Sequence, residues 1–153
     1  MTVRRAIIVC LACASASITG CGADESGPRK YPVRGTVEVN GAPASKVVVT
    51  FNNANPAAPG NSAHPVARAD DQGRFELSTD ADKDGAVEGS YSVTFFWPSD
   101  EGTFPKDRLD GMFSKPEASK IKVDVKSEEN ALEPFRLTIP AKRLKPASTD
   151  GPR

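Results

Sequence analysis

Val33-Arg34-Gly35-Thr36-Val37-Glu38-Val39 leads directly into Asn40-Gly41, and Val47-Val48-Val49-Thr50-Phe51 follows shortly after. Valines at alternate positions have the period of a strand with one buried face. Asn-Gly accepts positive φ at low cost and so marks a turn. The two runs read as a hairpin-like unit, with Ala42-Pro43-Ala44 lengthening the connection beyond two residues. The same period recurs downstream. Val66-Ala67-Arg68-Ala69 precedes the turn Asp70-Asp71-Gln72-Gly73, and Arg74-Phe75-Glu76-Leu77-Ser78 returns from it. A further strand runs from Ser90 through Tyr91, Val93 and Phe95 to Trp97, where Pro98 stops it. Lys120-Ile121-Lys122-Val123-Asp124-Val125 and Phe135-Arg136-Leu137-Thr138-Ile139 complete the series. Residues 52–65 form a long polar loop, and residues 99–119 are irregular, with Leu109, Met112 and Phe113 as a small apolar patch. About seven short strands at this spacing predict an all-β domain, an antiparallel β-sandwich spanning residues 31–140.

The flanks differ. Arg4 and Arg5 precede an apolar run over residues 6–16, and Ile18-Thr19-Gly20-Cys21 follows. A positive start, a short apolar core and small residues before a cysteine are the parts of a lipoprotein export signal, with residues 1–20 removed and Cys21 lipidated. The run is shorter than the roughly 20 apolar residues a membrane-spanning helix needs. Residues 21–30 are small and polar and read as a tether. Residues 141–153 are basic and lack apolar periodicity beyond Leu144, which predicts a disordered tail. Gly22, rather than an aspartate, follows Cys21. By the enterobacterial sorting rule the expected address is extracytoplasmic, at the outer membrane.

Composition narrows the function. Twenty basic and twenty acidic residues balance, and without a clustered positive surface nucleic acid is excluded as a partner. Cys10 and Cys13 have redox spacing but lie in the apolar signal core. Once they leave with the signal, Cys21 alone remains and the domain has no internal disulfide. His64 is the sole histidine. It stands beside Pro65 and near Ser62 in a polar loop where nothing marks an oxyanion site, so no catalytic triad is predicted.

Two constellations could carry binding. Asp80-x-Asp82-x-Asp84-Gly85, with Glu88 downstream, places oxygen ligands at alternate positions before a glycine bend, the pattern of a calcium loop. A full loop would need a bidentate glutamate where Tyr91 stands, and Lys83 adds a positive charge. The cofactor expectation is therefore none, or calcium at about millimolar levels; the alternative is a solvated acidic turn. The second constellation is Phe96, Trp97, Phe104 and Phe113. Phe95 and Trp97 share the Tyr91 face and Phe96 points the other way, so these aromatics either pack the core or form a sugar-stacking or protein-docking patch.

The motifs also carry a resemblance. Tyr31-Pro32-Val33-Arg34-Gly35-Thr36-Val37, Asn40-Gly41-x-Pro43, Asp71-x-Gly73-x-Phe75, Asp84-Gly85-Ala86-x-x-Gly89-x-Tyr91-x-Val93 and Phe135-x-Leu137 together resemble the carboxypeptidase regulatory-like, or transthyretin-like (prealbumin-like), domains. The resemblance covers almost all of residues 31–139. It implies an accessory module without catalytic activity, since the several histidines and the C-terminal tetrapeptide of the hydroxyisourate hydrolases in that family are missing here. The expected protein is a non-catalytic, lipid-anchored envelope protein with a structural or protein-interaction role. Its partners would be the membrane through the lipid and an envelope protein or glycan.

Overall fold

The computed structural model describes residues 27–148. The signal at 1–20, Cys21, most of the tether and residues 149–153 lie outside the described residues. In chain order the strands are β1 (Lys30–Tyr31), β2 (Val33–Val39), β3 (Ala42–Pro43), β4 (Val48–Asn53), β5 (Val66–Arg68), β6 (Arg74–Glu76), β7 (Ala86–Val87), β8 (Gly89–Phe96), β9 (Lys122–Val125), β10 (Asn130–Ala131) and β11 (Phe135–Leu137). Each expected strand is present, and four two-residue strands are added. No helix among the described residues is long and apolar enough to cross a membrane.

The strands form a four-stranded antiparallel sheet in the order β5-β4-β8-β9, a sheet centred on β2, and the small pair β1-β7. Odd-numbered residues of β2 bond to β6 and to the β3 side, as in Val37 N–H to the Gly73 carbonyl at 2.8 Å. Its even-numbered residues bond to the other side, as in Leu132 N–H to the Arg34 carbonyl at 2.8 Å. There β10 and β11 run parallel to β2, so the wholly antiparallel arrangement expected from sequence holds for one sheet and not the other. Parallel neighbours need a long crossover, and the whole excursion through β4 to β9 provides it.

The expected hairpin between residues 33–39 and 47–51 is also corrected. Asn40 and Gly41 both take positive φ, 51° and 82°, and make a two-residue turn that pairs β2 with β3. Strand β4 then joins the other sheet. Positive φ at both central positions matches the right-handed strand twist, which tightens the turn.

The two sheets meet over the inward side chains Val33, Val37, Val49, Phe51, Phe75, Tyr91, Val93, Phe95 and Leu137, all buried. Phe135 lies at the centre. Its ring stacks on Phe75 at 5.9 Å and meets Phe95 edge-on at 5.4 Å, which ties β11 and β6 to β8 across a β-sandwich-like core. Leu109, from the irregular segment, is fully buried in the same core.

Residues 141–148, part of the segment expected to be a disordered tail, make contacts with the rest of the fold. Lys145 N–H bonds to the Arg108 carbonyl at 2.9 Å, Ser148 N–H to the Ser99 carbonyl at 2.7 Å, and the Arg143 guanidinium meets Asp110 at 2.9 Å. Leu144 packs against the core. One leucine and two cations facing a fixed carboxylate are enough to seat a short segment, although they leave no periodic trace in the sequence.

Candidate functional site

The Asp84 carboxylate accepts backbone N–H groups from Thr79 at 2.6 Å, Asp80 at 3.1 Å and Ala81 at 3.1 Å. Strand β1 delivers Lys30, whose Nζ lies 2.8 Å from Asp80 and 3.4 Å from Asp84. Burial tends to raise the Asp84 pKa, but the three N–H donors and Lys30 outweigh it and hold the carboxyl below its ordinary value. Lys30, followed by Asn61, lowers Asp80. Among the described residues no group of three or more His, Cys, Asp or Glu side chains is placed to hold a metal ion. The carboxylates of Asp80 and Asp84 thus share an internal ammonium, and Asp84 also accepts three peptide N–H groups.

Folded-state pKa values below the unfolded carboxyl value of about 3.9 give stability that is present above that value and lost as pH falls through the folded pKa. The melting temperature should therefore fall as pH drops below about 4. Asp84→Asn should lower it at pH 7 and flatten that acid limb, while calcium at about 1 mM leaves the wild-type value unchanged. An acid limb equally steep in the variant would refute the role given to Asp84.

The aromatic set divides. Trp97 donates from Nε1 to the Ser45 carbonyl at 2.8 Å, and the Arg108 guanidinium lies 3.8 Å over its ring. Phe113 meets the buried Phe95 ring edge-on at 6.3 Å. Both are used internally. Phe96 is half-buried on the outward side of β8, and Phe104 is 92% exposed in the loop that follows.

Register shows what surrounds Phe96. It lies opposite Val48, Val48 lies opposite Arg68, and in the adjacent row Thr94, Thr50 and Val66 align. Paired residues share a face. Phe96, Val48 and the 42%-exposed Val66 therefore make an outward apolar cluster on the four-stranded sheet. Glu101 joins the Phe104 loop to this face, with its carboxylate 2.6 Å from Lys46 and 3.7 Å from Arg68. Beyond Val66 and Arg68 a cleft of about 1120 Å³ continues across β6 to β2, lined also by Arg34, Arg74, Glu76 and Lys83. His64 lies elsewhere, its Nδ1 3.2 Å from the Asn52 side-chain oxygen.

No family model matches the chain, and no curated relative matches it. Among solved structures it is similar to a 9R-lipoxygenase from Cyanothece PCC8801, with 13% identity and a TM-score of 0.36 over 75% of this chain and 17% of that one. It is similar also to 3-chlorocatechol 1,2-dioxygenase from Rhodococcus opacus 1CP, with 17% identity and a TM-score of 0.36 over 75% of this chain and 61% of that one. The chain thus spans less than two thirds of either protein. At these scores neither likeness assigns a family or an activity.

Of the residues predicted for binding, Phe104 is exposed, Phe96 is half-buried on the outward side of β8, and Trp97 and Phe113, also half-buried, pack against the core. Sequence reading missed Val48, Val66 and Arg68. Val48 sits within a run of three valines whose alternation does not say which one faces out. Only the pairing with Phe96 and Arg68 joins these residues.

Proposed function

We propose that this is a non-catalytic, lipid-anchored envelope protein whose transthyretin-like sandwich acts as a protein-interaction module, docking through the outer face of the four-stranded sheet. The observation that carries this reading is the Phe96-Val48-Val66 cluster with Phe104 exposed in the adjoining loop. Apolar side chains joined on one face gain free energy when a partner covers them. The sandwich family rests on the ordered turn and strand motifs of residues 31–139. The anchor at Cys21 and the outer-membrane address rest on the charged, apolar and small-residue segments before it. A glycan-binding role is less well supported, because Arg108 covers Trp97 and Phe113 packs against Phe95.

The test is a photo-crosslinking amino acid placed at position 104 or 136 in the full-length chain, expressed in its native host. Arg136 is exposed on β11, in the sheet of β2 and away from the proposed docking face. A discrete adduct with one membrane-fraction protein is expected from position 104 and not from 136. Equal labelling at both positions, or none at 104, would overturn the interaction reading. Cys21→Ser should move the protein from the membrane to the soluble fraction, and retention in the membrane would overturn the anchor.

A further inference from the structure

The hairpin of β5 and β6 is closed at both ends and open in the middle. Val66 and Ser78 exchange two backbone hydrogen bonds at 2.9 Å, and Asp70 N–H bonds to the Arg74 carbonyl at 2.8 Å. This spacing puts Arg68 opposite Glu76 as the intervening rung. That rung is not made. Among the described residues the bridge between these segments is Val66 with Ser78, Arg68 and Glu76 form none, and their register with β4 and β2 turns their peptide groups toward each other's strand. The cause lies in the topology: β5 belongs to the sheet of β4 and β6 to the sheet of β2, so the strands splay where the chain changes sheets. The cleft opens at this point, with Arg68 and Glu76 in its lining.

Peptide groups left unpaired in a cleft accept any ligand that offers both a donor and an acceptor. The surrounding charges narrow the choice. Arg34 is held by Glu129 at 2.6 Å and Arg74 by Asp70 at 2.8 Å. Among the described residues Arg68 has only Glu101 at 3.7 Å, and Lys46 already holds that carboxylate at 2.6 Å; Lys83, the remaining cation of the lining, faces Glu76 at 3.8 Å. Arg68, half-exposed, is therefore the guanidinium with capacity to spare, and a carboxylate suits its planar donors. Val48 and Val66 lie beside it. A polyanion would meet the carboxylates of Asp70, Glu76 and Asp82 in the same lining, and a sugar would need an open aromatic ring; the one ring lining the cleft, Phe75, is 3% exposed.

We infer that the cleft receives an extended peptide segment of a partner protein in which an acidic residue adjoins an apolar one. The carboxylate pairs with Arg68, the apolar side chain covers Val48 and Val66, and the segment's backbone satisfies the open rung. The inference rests on the protein-interaction reading and specifies its ligand.

The probe is a random-peptide phage library selected against the full mature chain in detergent micelles, with the best peptide then labelled for fluorescence polarisation. Selected peptides should share an Asp or Glu beside an apolar residue. Arg68→Glu should weaken binding at least tenfold and Arg68→Gln by less, while a peptide with its acid changed to Lys should recover binding to Arg68→Glu. Arg136→Glu, the same charge change on exposed β11, should leave affinity unchanged. Hydrogen exchange at the Arg68 and Glu76 amides should be fast in the free protein and slow with peptide bound. Peptides that bind without regard to residue 68, no enrichment above empty micelles, or slow exchange in the free protein would each overturn the inference. A position-104 crosslink that persists in Arg68→Glu would overturn it while leaving the interaction reading intact.

Discussion

Phe95→Ala should reduce the unfolding free energy by about 3–5 kcal/mol, whereas Phe96→Ala, one residue along, should cost only about 1 kcal/mol. The two side chains leave β8 on opposite faces. Phe95 is 1% exposed, with its ring edge-on to Phe135 at 5.4 Å and to Phe113 at 6.3 Å. Removing it withdraws one wall from contacts that join both sheets and the irregular segment, and rigid neighbours in a packed core cannot close the cavity. Phe96 lies on the outer face and leaves little void when truncated. The functional consequence is reversed, since Phe96→Ala should abolish the position-104 crosslink in a protein that still melts cooperatively. Urea denaturation of both variants, read with that crosslink, tests the division. Comparable stability losses would mean that the outer face is part of the core and not a docking surface.

The strands were legible because side-chain period is a local property. Val33, Val37 and Val39 face inward as their alternation predicts, and β8 ends at Phe96, one residue short of the expected Trp97. Register was not legible. That Phe96, Val48 and Arg68 form one row depends on pairing between strands far apart in sequence, and periodicity carries no information about which strands become neighbours. The acidic loop shows a different limit. Its spacing reads as calcium chemistry only while Lys30 is assigned to a tether. Once β1 pairs with β7, the same carboxylates find an ammonium and backbone N–H groups at hydrogen-bonding distance. The contacts of residues 143–145 are illegible for a similar reason, because Asp110 and the Arg108 backbone, which they meet, lie more than thirty residues earlier.

Gly85→Ala tests how far the start of the folded chain depends on that loop. Gly85 has a φ of +86°, and a Cβ built there would stand 1.9 Å from the Tyr31 carbonyl oxygen and 2.9 Å from the Pro32 nitrogen. Both obstacles are backbone, which cannot rotate aside as a side chain could. Positive φ alone costs an alanine about 1–2 kcal/mol. Relieving the clash then requires Tyr31 to move away from the loop, which breaks the β1-β7 pairing of Lys30 with Val87 and Tyr31 with Ala86. That movement also withdraws Lys30 from Asp80 and Asp84. The expected loss is about 3 kcal/mol in total, a fall of roughly 10 °C in melting temperature for a domain of this size. Because the damage enters through β1, exchange protection at residues 30–31 and 86–87 should disappear before that of β4 and β8. A uniform loss of protection would instead make β1 part of the single cooperative core. Unchanged stability would show that the chain can leave the glycine without disturbing the fold, and that Lys30 is not what holds the acidic loop closed.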